Sequence, residues 1–152
     1  MSTDRSGGFV SLAAGEKEYR WLRKSLRGLG WLDLKVLPGI FPYMSLVEYP
    51  KGSPVCREGE EGDDFYLIYK GAVEVRKSGW SQLVASLGPG QFFGEMALLF
   101  RQPRHTTVRA VKTTRLFWLQ SRDFRKVLRK HAGAARAIRP VLEARLKELA
   151  RH

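Results

Sequence analysis

The hydrophobic period of the chain changes twice, and this constrains its fold more than any other feature. Between residues 16 and 29, Tyr19, Leu22, Leu26 and Leu29 recur at spacings of three and four. That pattern is one face of a helix, with Arg20, Arg23, Lys24 and Arg27 on the other faces. From Met44 the spacing falls to two: Ser45, Val47 and Tyr49; Phe65, Leu67 and Tyr69; Val73 and Val75; Leu83, Ala85 and Leu87. Turn residues cut these runs at 50–52, 59–64, 71, 78–79 and 88–90. Short strands at such spacing, joined by Gly-rich turns, predict a small antiparallel barrel or jelly roll. Two more strands are expected at 106–111 and 115–120. After Ser121, a residue type that caps helix starts, Phe124, Val127, Leu128 and His131 restore helical spacing. Ile138, Leu142, Leu146 and Leu149 carry it towards the C-terminus.

The expected class is therefore α+β. Residues 1–15 read as a flexible tail and residues 16–152 as one domain. Within it, a helical part spans 16–43, interrupted by Gly28, Gly30, Pro38 and Pro42; a β-roll spans 44–120; two helices fill 121–152. With 152 residues and 43 % apolar side chains the chain can bury a real core. The longest uncharged stretch, residues 78–94, holds four Gly, one Pro and three Ser, so no membrane span is expected. A single Cys56 excludes an internal disulfide and any multi-cysteine zinc site. A cytoplasmic protein fits this usage.

Charge is uneven. There are 27 Lys and Arg against 15 Asp and Glu, a net +12. Residues 1–100 balance, so the whole excess lies in 101–152, opposed there only by Asp123, Glu143 and Glu148. Such a segment suits nucleic acid, an anionic membrane surface, an acidic protein, or simply a solvated Arg-rich face.

The chemistry is concentrated in residues 87–110, LGPGQFFGEMALLFRQPRHTTVRA. Gly94-Glu95-Met96-Ala97-Leu98 reads as one helical turn inside the roll. A helix opening at glycine presents free backbone N–H groups to an anion. The Glu95 carboxylate can accept from a sugar hydroxyl, and Arg104 offers a guanidinium that matches phosphate bidentately. Thr106 and Thr107 add hydroxyls. These groups among apolar strands describe a pocket for a nucleotide with a ribose and a compact phosphate.

Two motif blocks extend this reading. The first is Gly52-x-x-Val55, Gly59-Glu60-x-Gly62-Asp63, Phe65-Tyr66 and Gly71-x-Val73-x-Val75. The second is Pro89-Gly90-x-Phe92-Phe93-Gly94-Glu95-Met96-Ala97-Leu98 followed by Pro103-Arg104 and Val108. Over residues 16–150 the chain resembles the cyclic nucleotide-binding domain of nucleotide-gated channels, protein kinase regulatory subunits and catabolite-activator-type regulators. The resemblance implies an antiparallel β-roll with an N-terminal helix, a short phosphate-binding cassette helix and two C-terminal helices. It implies a cassette at Gly94, Glu95, Met96 and Ala97, with backbone amides on the cyclic phosphate and Glu95 on the ribose 2′-hydroxyl. Arg104 would pair with the phosphate oxygens, Thr107 would lie near the phosphate, and Val75 would pack on the base. The C-terminal helix would close as a lid, with Arg145 or an apolar neighbour meeting the base.

Two positions depart from the family pattern. The residue after the arginine is usually small, and a Thr there favours guanine; here it is His105, beside Thr106. Pro140 interrupts the closing segment, where a boundary or kink is expected. The expectation is a non-catalytic sensor that binds cAMP in preference to cGMP and signals to a protein effector or an attached channel domain. Because the chain ends at His152, a stand-alone sensor or a regulatory domain cut from a longer protein is expected. Two other functions compete with it. One is a nucleotide-free module docking an acidic partner through its basic helices; the other is non-specific nucleic-acid binding, since no DNA-recognition motif is present. No nucleophile–base pair, catalytic carboxylate pair or metal-ligand cluster stands out, so neither enzymatic activity nor a metal or other cofactor is expected.

Overall fold

The computed structural model describes residues 8–25, 37–62, 64–94 and 103–133, and positions 136, 139, 140, 143, 144 and 147. Its strands are β1 (Val10–Leu12), β2 (Ser45–Tyr49), β3 (Pro54–Cys56), β4 (Asp64–Lys70), β5 (Val73–Arg76), β6 (Ala85–Leu87), β7 (Phe92–Phe93), β8 (Thr107–Ala110) and β9 (Thr114–Gln120). Helix α1 (Glu16–Ser25) precedes the roll; α2 (Leu37–Ile40) leads through a 3-10 turn at Phe41–Tyr43 into it; α3 (Ser121–Leu128) follows it. The strands form a five-stranded sheet, β1-β2-β9-β4-β7, and a four-stranded sheet, β3-β8-β5-β6. Every pairing is antiparallel, as the roll requires.

The larger sheet is buried on both faces. Along β4 and β9, Phe65, Leu67, Tyr69, Phe117 and Leu119 face the helices, where Leu22, Leu37, Ile40, Phe124, Val127 and Leu128 cover them. The alternate residues Tyr66, Ile68, Leu116 and Trp118 face the smaller sheet and meet Val55, Val73, Val75 and Val108. A strand covered on both sides needs apolar residues at every position, and Phe65 to Tyr69 supply them. Aromatic contacts tie the layers: Phe65 meets Phe124 edge-on at 5.7 Å, and Trp21 meets Tyr69 at 4.9 Å.

Four local expectations change. Residues 1–15 are not a tail throughout, because β1 pairs with β2 from Val10↔Glu48 to Leu12↔Leu46. The Phe9 ring lies 5.6 Å from Tyr49 and 5.9 Å from Trp118. A three-residue strand carries too little period to be read, and the edge of β2 supplies its hydrogen bonds. For the same reason β3 and β7 escape the spacing argument, while β6 starts at Ala85 rather than Leu83. Ser121 is the first helical residue rather than the cap; Gln120 holds the cap position with no side-chain bond. The Ser121 hydroxyl is buried, with no hydrogen-bond partner among the described residues.

At the start of α1 the Gly15 N–H donates to Glu18 Oε1 at 2.7 Å, half of a capping box. Gly133, Arg139 and Pro140 have helical backbone, and the residues that would show a boundary or kink at Pro140 lie outside the described residues. The stripe Ile138, Leu142, Leu146 and Leu149, the lid residue Arg145, and residues 26–36 lie outside the described residues. No described helix is long and apolar enough to cross a membrane.

Candidate functional site

Three segments distant in sequence meet at one end of the roll. The antiparallel register Tyr66↔Phe93 and Leu67↔Phe92 brings Gly94, just past β7, alongside Asp64 at the start of β4. The turn before β4 then binds the segment before β8. Arg104 N–H donates to the Glu60 carbonyl at 2.8 Å, the Gly59 N–H donates to the Arg104 carbonyl at 2.9 Å, and Glu61 bridges to Pro103. The Arg104 backbone is therefore held on both sides before its side chain does anything.

That side chain lies against the same turn. Arg104 Nη2 donates to the buried Asp64 carbonyl at 3.1 Å. The guanidinium passes so close to Gly62 that a Cβ there would stand 2.8 Å from Nε and 3.0 Å from Nη2. Gly94 has φ +85°, and a Cβ on it would stand 2.5 Å from the Asp64 carbonyl oxygen and 3.2 Å from Arg104 Nη1. Gly94 is thus required by close approach to backbone and by its own conformation, while Gly62 leaves the space that the guanidinium occupies. One guanidinium edge is anchored on a carbonyl, which leaves other N–H donors for an anion.

Arg104 lines a cleft of about 420 Å³ together with Val55, Cys56, Glu60, Glu61, Gly62 and Tyr66. A volume of a few hundred cubic ångströms suits a small molecule of nucleotide size. Val55, Cys56 and Tyr66 belong to the apolar interior of the roll, stacked behind by Phe93 at 5.0 Å from Tyr66. The cleft has an apolar wall and a single cationic side chain among its described lining residues.

The expected site residues divide. The structure brings Gly94 and Arg104 together. Val75 is buried in the apolar cluster that also holds Val55, Cys56 and Tyr66 of the cleft wall. His105 and Thr106 are half-buried beside Arg104, and the His105 carbonyl accepts from Lys77 Nζ at 3.4 Å. Thr107 departs from expectation. Its hydroxyl accepts the Glu58 N–H at 2.9 Å, and it lines a separate outer groove with Glu58, Glu74, Arg76, Lys77, Ser78 and Arg109. Strand alternation is the reason: β8 turns Val108 and Ala110 inward, so Thr107 and Arg109 face out. Glu95, Met96 and Ala97 lie outside the described residues. Sequence reasoning missed the Glu60 carbonyl, Gly62 and the Asp64 carbonyl as neighbours of Arg104. The turn composition of residues 59–64 was visible, but the pairing of that turn with 103–104 was not.

Comparison with known proteins decides the family. The family model for the cyclic nucleotide-binding domain matches residues 46–131. The chain belongs to the cyclic nucleotide-binding domain family. This cyclic nucleotide-binding domain is 37 % identical over 112 residues to a cAMP-dependent protein kinase regulatory subunit of Mycosarcoma maydis, covering 69 % of the chain and 20 % of that protein. It is 44 % identical over 75 residues to a cyclic nucleotide-gated potassium channel of Mesorhizobium japonicum, covering 49 % of the chain and 20 % of the channel. Among solved structures, the regulatory domain of Toxoplasma gondii protein kinase A, crystallised with cAMP, superposes with TM-score 0.69 at 29 % identity. It covers 76 % of this chain and 46 % of that one. The domain therefore spans about a fifth of the length of these curated relatives. Among the described residues no cluster of His, Cys, Asp and Glu could hold a metal ion.

Proposed function

We propose that this domain is a non-catalytic sensor of a cyclic purine nucleotide, with cAMP preferred to cGMP. The observation that carries the reading is Arg104, whose guanidinium is anchored on the Asp64 carbonyl between two glycines at a nucleotide-sized cleft. A cyclic phosphate is a compact anion with two free oxygens, and a guanidinium edge matches it. Gly94 opens the segment whose backbone amides and Glu95 carboxylate would take the phosphate and the ribose 2′-hydroxyl. The relatives support the ligand class, since two are named for cAMP and one for a cyclic nucleotide. The preference for adenine rests on position 105, where His stands in place of the Thr that favours guanine.

Signalling would pass through the C-terminal helices to a protein effector or an attached domain. Helix α3 is rooted in the core by Phe124, Val127 and Leu128, whereas the described positions from Ala132 to Lys147 are helical and exposed. A ligand shifts such a segment only by binding its two positions with different affinity.

Calorimetric titration of the domain with cAMP and with cGMP tests the reading. Saturable binding of both, tighter for cAMP, is the expected result. Absence of heat from either nucleotide would overturn the sensor, and cGMP bound tenfold tighter would overturn the base preference.

A further inference from the structure

The cleft faces a selection problem that Arg104, the one cationic side chain among its described lining residues, does not solve alone. Cyclic phosphodiesters carry one negative charge near neutral pH, while linear phosphomonoesters carry close to two. Doubling the charge doubles the attraction to one guanidinium but quadruples the ideal cost of leaving water. The balance between them is set by the other charges at the mouth. Among the described lining residues two carry carboxylates, Glu60 and Glu61. Glu60 is partly neutralised by Arg57, 3.9 Å away in an exposed pair. Glu61 has no ion pair among the described residues, and its backbone is bridged to Pro103, the neighbour of Arg104. The turn that positions the arginine thus carries, at the same cleft, a carboxylate with no ion-pair partner among the described residues.

We propose that Glu61 makes this cleft select its anion by charge, admitting a cyclic phosphodiester and disfavouring a phosphomonoester of the same nucleoside. The inference rests on the proposed nucleotide function and adds its discriminating residue. Each charge on the ligand feels Glu61 separately, so the second charge of the linear nucleotide is the one penalised. At an effective dielectric between that of water and that of a protein surface, two unit charges roughly 8 Å apart interact strongly enough to change affinity about two- to fivefold per ligand charge.

The test is calorimetry with cAMP, and competition by 5′-AMP against bound cAMP, at low and at high salt. The proteins are the wild type, Glu61→Gln and Glu61→Lys; residue 61 is exposed and its tie to Pro103 is a backbone bridge, so both variants should fold. The ratio of cAMP to 5′-AMP affinity should fall about two- to fivefold in Glu61→Gln. It should fall about four- to 25-fold in Glu61→Lys, with both changes shrinking at high salt. Shape differences between the ligands cancel in this comparison of ratios. If wild type binds cAMP and the ratio is the same in all three proteins at low salt, the charge selection is wrong and the sensor reading stands. If wild type binds no cAMP, the sensor reading fails and takes the selection with it.

Discussion

Gly62→Ala separates the anchoring of Arg104 from the stability of the fold. The backbone at Gly62 has no positive φ, so alanine is conformationally acceptable there, and its added methyl restricts the unfolded chain. The methyl would, however, stand 2.8 Å from Arg104 Nε and 3.2 Å from Cζ. The guanidinium must retreat by at least about 0.6 Å to reach the 3.4 Å of ordinary contact. It is the far end of a flexible side chain, so the fold yields cheaply. The 3.1 Å bond to the Asp64 carbonyl has little slack before it passes the 3.5 Å limit of a hydrogen bond. Losing that anchor leaves the charge in the cleft without its orientation. A bond to a charged group is worth about 1.5–3 kcal/mol, which sets the upper range of the loss at roughly ten- to a hundredfold in cAMP affinity. The melting temperature should change by no more than a few degrees. Calorimetry beside thermal melting by circular dichroism gives both numbers. Affinity within twofold of wild type at an unchanged melting temperature would refute the claim that Gly62 is there to admit the guanidinium. Gly94→Ala is the contrasting variant, because its clash is with backbone and its φ is left-handed; it should lower the melting temperature clearly.

Arg104→Ala should weaken cAMP binding by about 2–5 kcal/mol in calorimetry while the melting curve stays near that of wild type. Glu95→Gln should cost less, since the amide oxygen still accepts from a hydroxyl; equal damage from the two variants would mean Glu95 does more than hold the sugar. Deleting residues 141–152 should weaken affinity and abolish ligand-dependent protection from hydrogen exchange in residues 132–140. Unchanged exchange in 132–152 of the intact protein at saturating cAMP would remove the lid. The Glu18 carboxyl titrates below its ordinary value because it accepts the Gly15 N–H, so its contribution to α1 is present above the unfolded pKa near 4.5 and is lost as pH falls through the lower folded value. Glu18→Gln should therefore lower the melting temperature at pH 7 and match wild type at the acid end. A gap independent of pH would point to some other role.

What the sequence determined alone was the order of layers. Period is a local property, so Tyr19 and Leu22 reveal a helix, and Phe65 to Tyr69 a buried strand, without knowledge of any partner. The two motif blocks likewise singled out Gly94 and Arg104, which the structure brings together, Gly94 with a left-handed backbone. Pairing was another matter. A strand as short as β1, β3 or β7 is stable only through the neighbour that completes its hydrogen bonds, and no residue within it names that neighbour. Thr107 could be assigned to a face only once β8 was in register with β5, where Val75 meets Val108 and Arg76 meets Thr107. Arg104 reaches the Asp64 carbonyl across 40 positions of chain, and it does so because Glu60 and Gly59 bond its backbone. Those contacts are long-range, and the residues making them are ordinary turn residues. Chemistry at the site was therefore written in residue types, and its geometry in the pairing of two turns that only the closed roll brings together.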